Sequence, residues 1–146
     1  ALGAHYELNS LPGISKLKAP RKGGEILREV QQNLFIAQAE LAGAPKKIVQ
    51  GKTVALEKII DGIEKKLPPI KSFFLAGGTE LAAWLDYARA VARRSERRVV
   101  QARQAGKVKI SASSLAYLNR LSSLLYALAR LANHQSGIKE EPPHYR

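Results

Sequence analysis

The chain has 146 residues, enough for one domain with a real core, and its 45% hydrophobic content excludes a disordered polymer. The absence of cysteine excludes disulfides, zinc–thiolate sites and thiol catalysis, and the three histidines, His5, His134 and His144, offer no close ligand pair apart from the loosely spaced last two. A net charge of +12 favours a polyanionic partner such as nucleic acid, an acidic membrane surface or a phosphorylated ligand, while no apolar run approaches the ~20 residues of a membrane span.

Residues 2–10, LGAHYELNS, fit the end of a helix that Pro12-Gly13 would stop. No signal-peptide pattern opens the chain, so the expected setting is cytoplasmic, with further residues upstream of Ala1. The basic stretch 14–24, ISKLKAPRKGG, reads as a solvated connector or as an anion-contacting loop. From Glu25 to Leu41 the residues Leu27, Val30, Leu34, Ala37 and Leu41 recur at steps of three and four, the period of an amphipathic helix, with Gly43 and Pro45 ending it. Val54 to Leu67 repeats the pattern through Leu56, Ile59, Ile60, Ile63 and Leu67, and Pro68-Pro69 closes it. After the link 70–79, IKSFFLAGGT, Thr79 is a good N-cap for a helix from Glu80 to about Gln104, which Gly106 ends. Ser111, Ser113 or Ser114 caps the last helix, with Gly137 at its C-terminal end. No segment alternates as a strand does. The pattern predicts an all-α fold, four long helices and an N-terminal helical piece in one up-down bundle over residues 1–146.

The stretch 86–100, DYARAVARRSERRVV, carries five arginines. At about 100° per residue, Leu81, Leu85, Ala88, Ala92 and Val99 form one core stripe, Arg89, Arg93 and Glu96 flank it, and Arg94 and Arg98 turn towards solvent or another subunit. An arginine at the edge of a core stripe is costly unless paired. Glu96 can steady Arg93 and reach Arg89, leaving the rest of each guanidinium fork for phosphate oxygens; a salt-bridged helix face is the plainer alternative. The small residues Ala82, Ala83, Ala88, Ala90 and Ala92 admit a close neighbouring helix and favour a crevice. Asn119-Arg120 interrupts an otherwise apolar pattern, and Asn119 suits either an interhelical hydrogen bond or a ligand contact. Nucleic acid is not the expected partner, because the basic residues are not interleaved with aromatics and no nucleic-acid-binding signature is present.

Four segments together resemble one family. FFLAGGTELAAWLDYARAVARRSERRVV resembles the F-I-L-P-G-G-T and A-R-x-V-x-R-R-x-E-R signature of PduO-type ATP:corrinoid adenosyltransferases, and YLNRLSSLLYALARLAN resembles that family's last helix, L-N-R-L-S-D-x-L-F. ALGAHYELNS is similar to its A-x-G-x-x-D-E-L-N-S, and LREVQQNLFIAQAELA to its second helix. The resemblance spans nearly the whole chain. It implies a five-helix up-down bundle with ferritin-like packing, assembled as a homotrimer with active sites between subunits. It implies transfer of the 5′-deoxyadenosyl group of ATP, with Mg²⁺, to cob(I)alamin, giving adenosylcobalamin and triphosphate. A reductase and an adenosylcobalamin-dependent enzyme are implied partners, and no resident metal site is implied. Within the motifs, Arg93, Arg94, Glu96, Arg97 and Asn119 fall at ATP-contacting positions. Arg89, Arg93 and Glu96 fall in the catalytic set, Arg89 matching an arginine of the intersubunit contact. Phe73 matches the aromatic beneath the lower face of the corrin, although core packing would also suit it.

The chain departs from the family pattern at three positions. Tyr6 stands where an acid normally pairs with the arginine matching Arg89, so Asp86 or Glu7 is the expected substitute partner. Ser123 replaces the Asp after L-N-R-L-S, and Ala76 replaces the Pro of L-P-G-G. The family's T-R-T-G-D-x-G phosphate loop precedes the first helix and is expected upstream of residue 1. Without such a loop the alternative is a non-catalytic cobalamin-binding or carrier bundle of the same fold.

Overall fold

The computed structural model describes residues 2–70 and 74–145, with side chains from residue 8 onwards. Five helices follow one another: α1 (Leu2–Lys18), α2 (Arg21–Leu41), α3 (Gln50–Glu64), α4 (Glu80–Gln104) and α5 (Ala112–Gln135), and no strand occurs among the described residues. The all-α expectation therefore holds, and the N-terminal helical piece extends from Leu2 to Lys18.

Pro12 does not stop α1, which runs six residues further, to Lys18. A mid-helix proline costs roughly 3 kcal/mol, and tertiary burial offsets it here. Leu8 and Leu11 on one side of Pro12 and Ser15 on the other are all buried. The expected connector over residues 14–24 thus shrinks to Ala19 and Pro20, and α2 starts at Arg21 with Pro20 as its N-cap. Helix α3 is shifted one turn towards the N-terminus of the expected span. The residue before a proline avoids the helical region, so Pro68 unwinds the end. Its last turn tightens to bonds from Lys66 N to Ile63 O (2.9 Å) and from Leu67 N to Glu64 O (3.1 Å). Leu67 remains buried in the core.

Helix α4 lies between α1 and α5, α2 packs on α1, and α3 packs on α5. The contacts of α4 with α5 run from Thr79 against Asn133 to Glu96 against Asn119, so these two helices are antiparallel. Because α4 has a neighbour on each side, its buried arc is wider than one stripe. Leu85, Ala88, Ala92 and Val99 are buried as the spacing requires, Leu81 is only half-buried, and Ala82, Val91 and Ser95 join the buried arc.

Thr79 caps α4 as the sequence indicates, and of the three serines offered for α5 the cap is Ser111. Thr79 Oγ1 accepts from Ala82 N at 3.0 Å, and Ser111 Oγ accepts from Ser114 N at 3.2 Å. Glu40, from the last turn of α2, adds a carboxylate at the N-terminus of α5: it accepts from Ser111 N (2.8 Å) and from Ser114 Oγ (2.6 Å). A negative group there complements the helix dipole.

A buried polar chain closes the α2–α3 side. Asn33 Nδ2 donates to Tyr117 Oη at 3.0 Å, and Lys52 Nζ donates to Asn33 Oδ1 at 2.9 Å. Burial pushes the Tyr117 phenol up to about 12, and the folded chain therefore holds its proton after the unfolded chain has released it at its ordinary value of 10.0. Stability is lost as pH rises between those two values. Tyr117→Phe is expected to remove that alkaline loss and, at neutral pH, to cost about 1–3 kcal/mol for the Asn33 donor left without a partner, measurable by urea unfolding.

Candidate active site

Two polar regions lie along the α4–α5 seam. The first is midway. Arg93 and Arg97 are exposed on α4, and Glu96 between them is half-buried. Asn119 of α5 donates from Nδ2 to Glu96 Oε2 at 2.8 Å. Among the described contacts, then, the Glu96 carboxylate is held by Asn119 rather than by Arg93. The neighbouring helix supplies a donor in a fixed place, whereas Arg93 sits on a freely solvated side of α4. Arg93 and Arg97 are one turn apart, an axial offset of about 6 Å, and both residues are exposed. Of the two arginines expected to turn towards solvent or another subunit, Arg98 is exposed and Arg94 is half-buried. Next along α5, Arg120 Nε lies 3.7 Å from Glu57 Oε1.

The second region is where α4 begins and α5 ends. The segment 74–79 crosses this end as a strap. Gly77 and Gly78 have φ of 113° and 97°, a region that favours glycine. Asn133 of α5 grips the strap from both sides: its Nδ2 donates to Gly77 O at 2.8 Å, and its Oδ1 accepts from Thr79 N at 2.9 Å. Asp86 Oδ2 accepts from Gly77 N at 3.4 Å. A cavity of about 140 Å³ lies beneath, lined by Asp86, Arg89, Tyr126 and Arg130 among others.

Arg89 is half-buried with its guanidinium 5.4 Å from the centre of the Tyr126 ring, and its Nε has no hydrogen-bond partner among the described residues. Burial pushes the Asp86 carboxyl above its ordinary value, against the opposing pull of the Gly77 N–H and of Arg89. The sign is that of a carboxylate the fold disfavours in its charged form, so its destabilising effect is present above the raised value and disappears below the ordinary carboxylate range. Asp86→Asn is accordingly expected to melt higher than the parent at neutral pH and to converge with it in acid, as thermal denaturation across pH would show. Asp86 draws on Arg89 only through a weak attraction, and the hydrogen bond it accepts among the described residues comes from Gly77 N.

A model of the family described as cobalamin adenosyltransferase matches residues 1–132. The chain belongs to the cobalamin adenosyltransferase family. It is 39% identical over 144 residues to the corrinoid adenosyltransferase PduO of Citrobacter freundii, an alignment covering 93% of this chain and 42% of that one. It is 38% identical over 126 residues to a corrinoid adenosyltransferase of Mycobacterium tuberculosis, covering 81% of this chain and 65% of the relative. The chain thus spans less than two thirds of either relative. Among solved structures, it resembles a phenylalanine-to-alanine variant of a PduO-type ATP:corrinoid adenosyltransferase from Lactobacillus reuteri complexed with cobalamin and ATP. The TM-score is 0.90 and the identity 33%, with 99% of this chain and 84% of that chain covered.

Within this adenosyltransferase-family bundle, the residues singled out by sequence divide between the two regions. Glu96 and Asn119 meet midway along the seam, Arg93 and Arg97 are exposed beside Glu96 on α4, and Arg94 is half-buried. Arg89 belongs to the strap end. Phe73 lies outside the described residues, as do the side chains of Tyr6 and Glu7. Sequence reasoning missed Asn133, Arg130 and Glu140. The available signal was a charged or polar residue inside the apolar run LLYALARLAN, at Arg130 and Asn133. Arg130 is only 6% exposed, a burial that an arginine tolerates only with partners.

Proposed function

We propose that the chain transfers the 5′-deoxyadenosyl group of ATP to cob(I)alamin, releasing triphosphate. The observation that carries the reading is the midpoint of the seam. There the exposed residues Arg93 and Arg97 stand one turn apart on α4, next to a Glu96 that Asn119 holds in place. Two guanidinium forks at that offset suit successive phosphates of a polyphosphate. The cobalt of cob(I)alamin attacks C5′ of ATP, the C5′–O bond breaks, and its electron pair leaves on the triphosphate. Arg93 and Arg97, with Arg94 beside them, neutralise that growing charge, and Glu96 orients an arginine or accepts from the ribose. Mg²⁺ accompanies ATP as its counter-ion.

Phe73 is assigned to the lower face of the corrin. Arg89 is assigned to a contact between subunits of a homotrimer; its half-buried position and an Nε without a hydrogen-bond partner among the described residues are compatible with completion by a neighbouring chain. The reaction is placed in the cytoplasm, with a reductase supplying reduced corrinoid and an adenosylcobalamin-dependent enzyme receiving the product.

Chromatography of the completed reaction tests the assignment. One triphosphate is expected for each adenosylcobalamin formed. ADP with phosphate, or pyrophosphate, as the nucleotide product would overturn the proposed bond cleavage. Sedimentation should give a mass three times that of one chain, and a monomer active at full rate would contradict the intersubunit site.

A further inference from the structure

Arg130 lies in the last third of α5 and touches neither Arg93, Glu96, Arg97 nor Asn119. It nevertheless ties three separate segments together. Its Nη2 donates to Pro68 O at 2.8 Å, at the start of the link that leaves α3. Its Nε and Nη2 engage both oxygens of Glu140, with the Nη2–Oε2 distance 3.0 Å. Its guanidinium stacks 5.6 Å from the centre of the Phe74 ring. The chain tail is fixed to the same strap a second time, since Leu75 N donates to Glu141 O at 2.7 Å. The side chains of Arg130 and Glu140 are 7% and 20% exposed. A bidentate, largely desolvated ion pair is directional, and removing one partner strands the other charge in a dry place.

Geometry explains what this arrangement constrains. Segment 74–79 has few internal bonds of its own. It is gripped at Gly77 and Thr79 by Asn133, and at Phe74 and Leu75 by the Arg130–Glu140–Glu141 cluster. One anchor alone would leave the strap free to pivot; two, about a helical turn apart on α5, fix its orientation as well as its position. The strap continues directly from Phe73, the position assigned to the corrin.

We infer that Arg130 and Glu140 are positioning residues for corrinoid, acting through the strap 74–79 and not by touching either substrate. The inference rests on the adenosyltransferase reading. Arg130 and Asn119 are eleven residues apart on one helix, an axial distance of about 16 Å, so ATP contacts should be insulated from the clamp.

The test compares Glu140→Ala and Glu140→Gln with the parent chain in steady-state kinetics, alongside amide hydrogen exchange of the peptide covering the strap. Glu140 is chosen because it lies in the tail, outside the five helices, and Glu140→Gln separates loss of the charge from loss of the acceptor; Arg130→Lys serves as the reciprocal variant. Glu140→Ala is expected to raise the KM for cob(I)alamin about tenfold or more, with the KM for ATP within about twofold of the parent. Glu140→Gln, which keeps an acceptor of the same shape, should recover part of the loss. Exchange at Leu75 should quicken in Glu140→Ala while α2 and α3 are unchanged.

Equal rises in both KM values, or no change in corrinoid KM, would overturn the positioning role. Unchanged exchange in the strap would overturn the clamp itself, whatever the kinetics. A parent chain without adenosyl transfer would instead sink the functional reading and with it the role in the reaction, while the exchange experiment would still decide whether the clamp exists.

Discussion

Arg93→Ala is expected to reduce adenosyl transfer by about a hundredfold or more while leaving the melting temperature near that of the parent. The two halves of that expectation have separate grounds. Arg93 is exposed on α4, so truncating it removes no buried contact and leaves no stranded partner. Its proposed work is to meet the negative charge that builds on the departing triphosphate, and a single preorganised donor to developing charge is worth about 10²–10³ in rate. ATP binding, followed by calorimetry, should weaken along with turnover. Normal turnover in Arg93→Ala would refute the placement of triphosphate at the middle of the seam.

Gly78→Ala is expected to produce the largest loss of stability among single substitutions at the strap. Gly78 has φ of 97°, which L residues rarely adopt, and a Cβ there would lie 2.4 Å from Asn133 Oδ1 and 2.8 Å from its Nδ2. Relief requires Asn133 to move, and Asn133 holds both Gly77 O and Thr79 N. Backbone strain and two broken hydrogen bonds together amount to about 3 kcal/mol or more. For a chain of this size that corresponds to a fall in melting temperature of roughly 6–12 °C. Gly77→Ala shares the unfavourable φ but meets nothing within 4 Å, so it should cost less. Equal melting temperatures for the two variants would show that Asn133 does not grip the strap.

The helices that carry the site were legible because their signals are local. The three-and-four spacing of α2 named Leu27, Val30, Leu34, Ala37 and Leu41, and all five are buried. Thr79 was readable as a cap from its position before apolar periodicity, whereas Ser111 was one of three serines the spacing allowed. Pro12 misled because a local penalty was outweighed by burial of Leu8, Leu11 and Ser15, contacts made with distant parts of the chain. The partner of Glu96 was misjudged for a related reason. Residues three and seven apart on one helix are visible in a sequence, whereas Asn119 lies 23 residues away and reaches Glu96 only through the packing of α5 on α4. The pairing of Arg130 with Glu140 was illegible in the same sense: ten residues of separation, with a helix end between them, give no periodic signature.

The central claim is adenosyl transfer at the α4–α5 seam, and one measurement addresses it directly. The full-length protein is incubated anaerobically with ATP, Mg²⁺ and chemically reduced cob(I)alamin, and the absorbance is followed. Loss of the Co(I) band, with a light-sensitive alkylcobalamin spectrum replacing it in the parent chain and not in Arg93→Ala, is the predicted result. A Co(I) band that persists in the parent chain while cobalamin remains bound would contradict the claim and leave a corrinoid carrier.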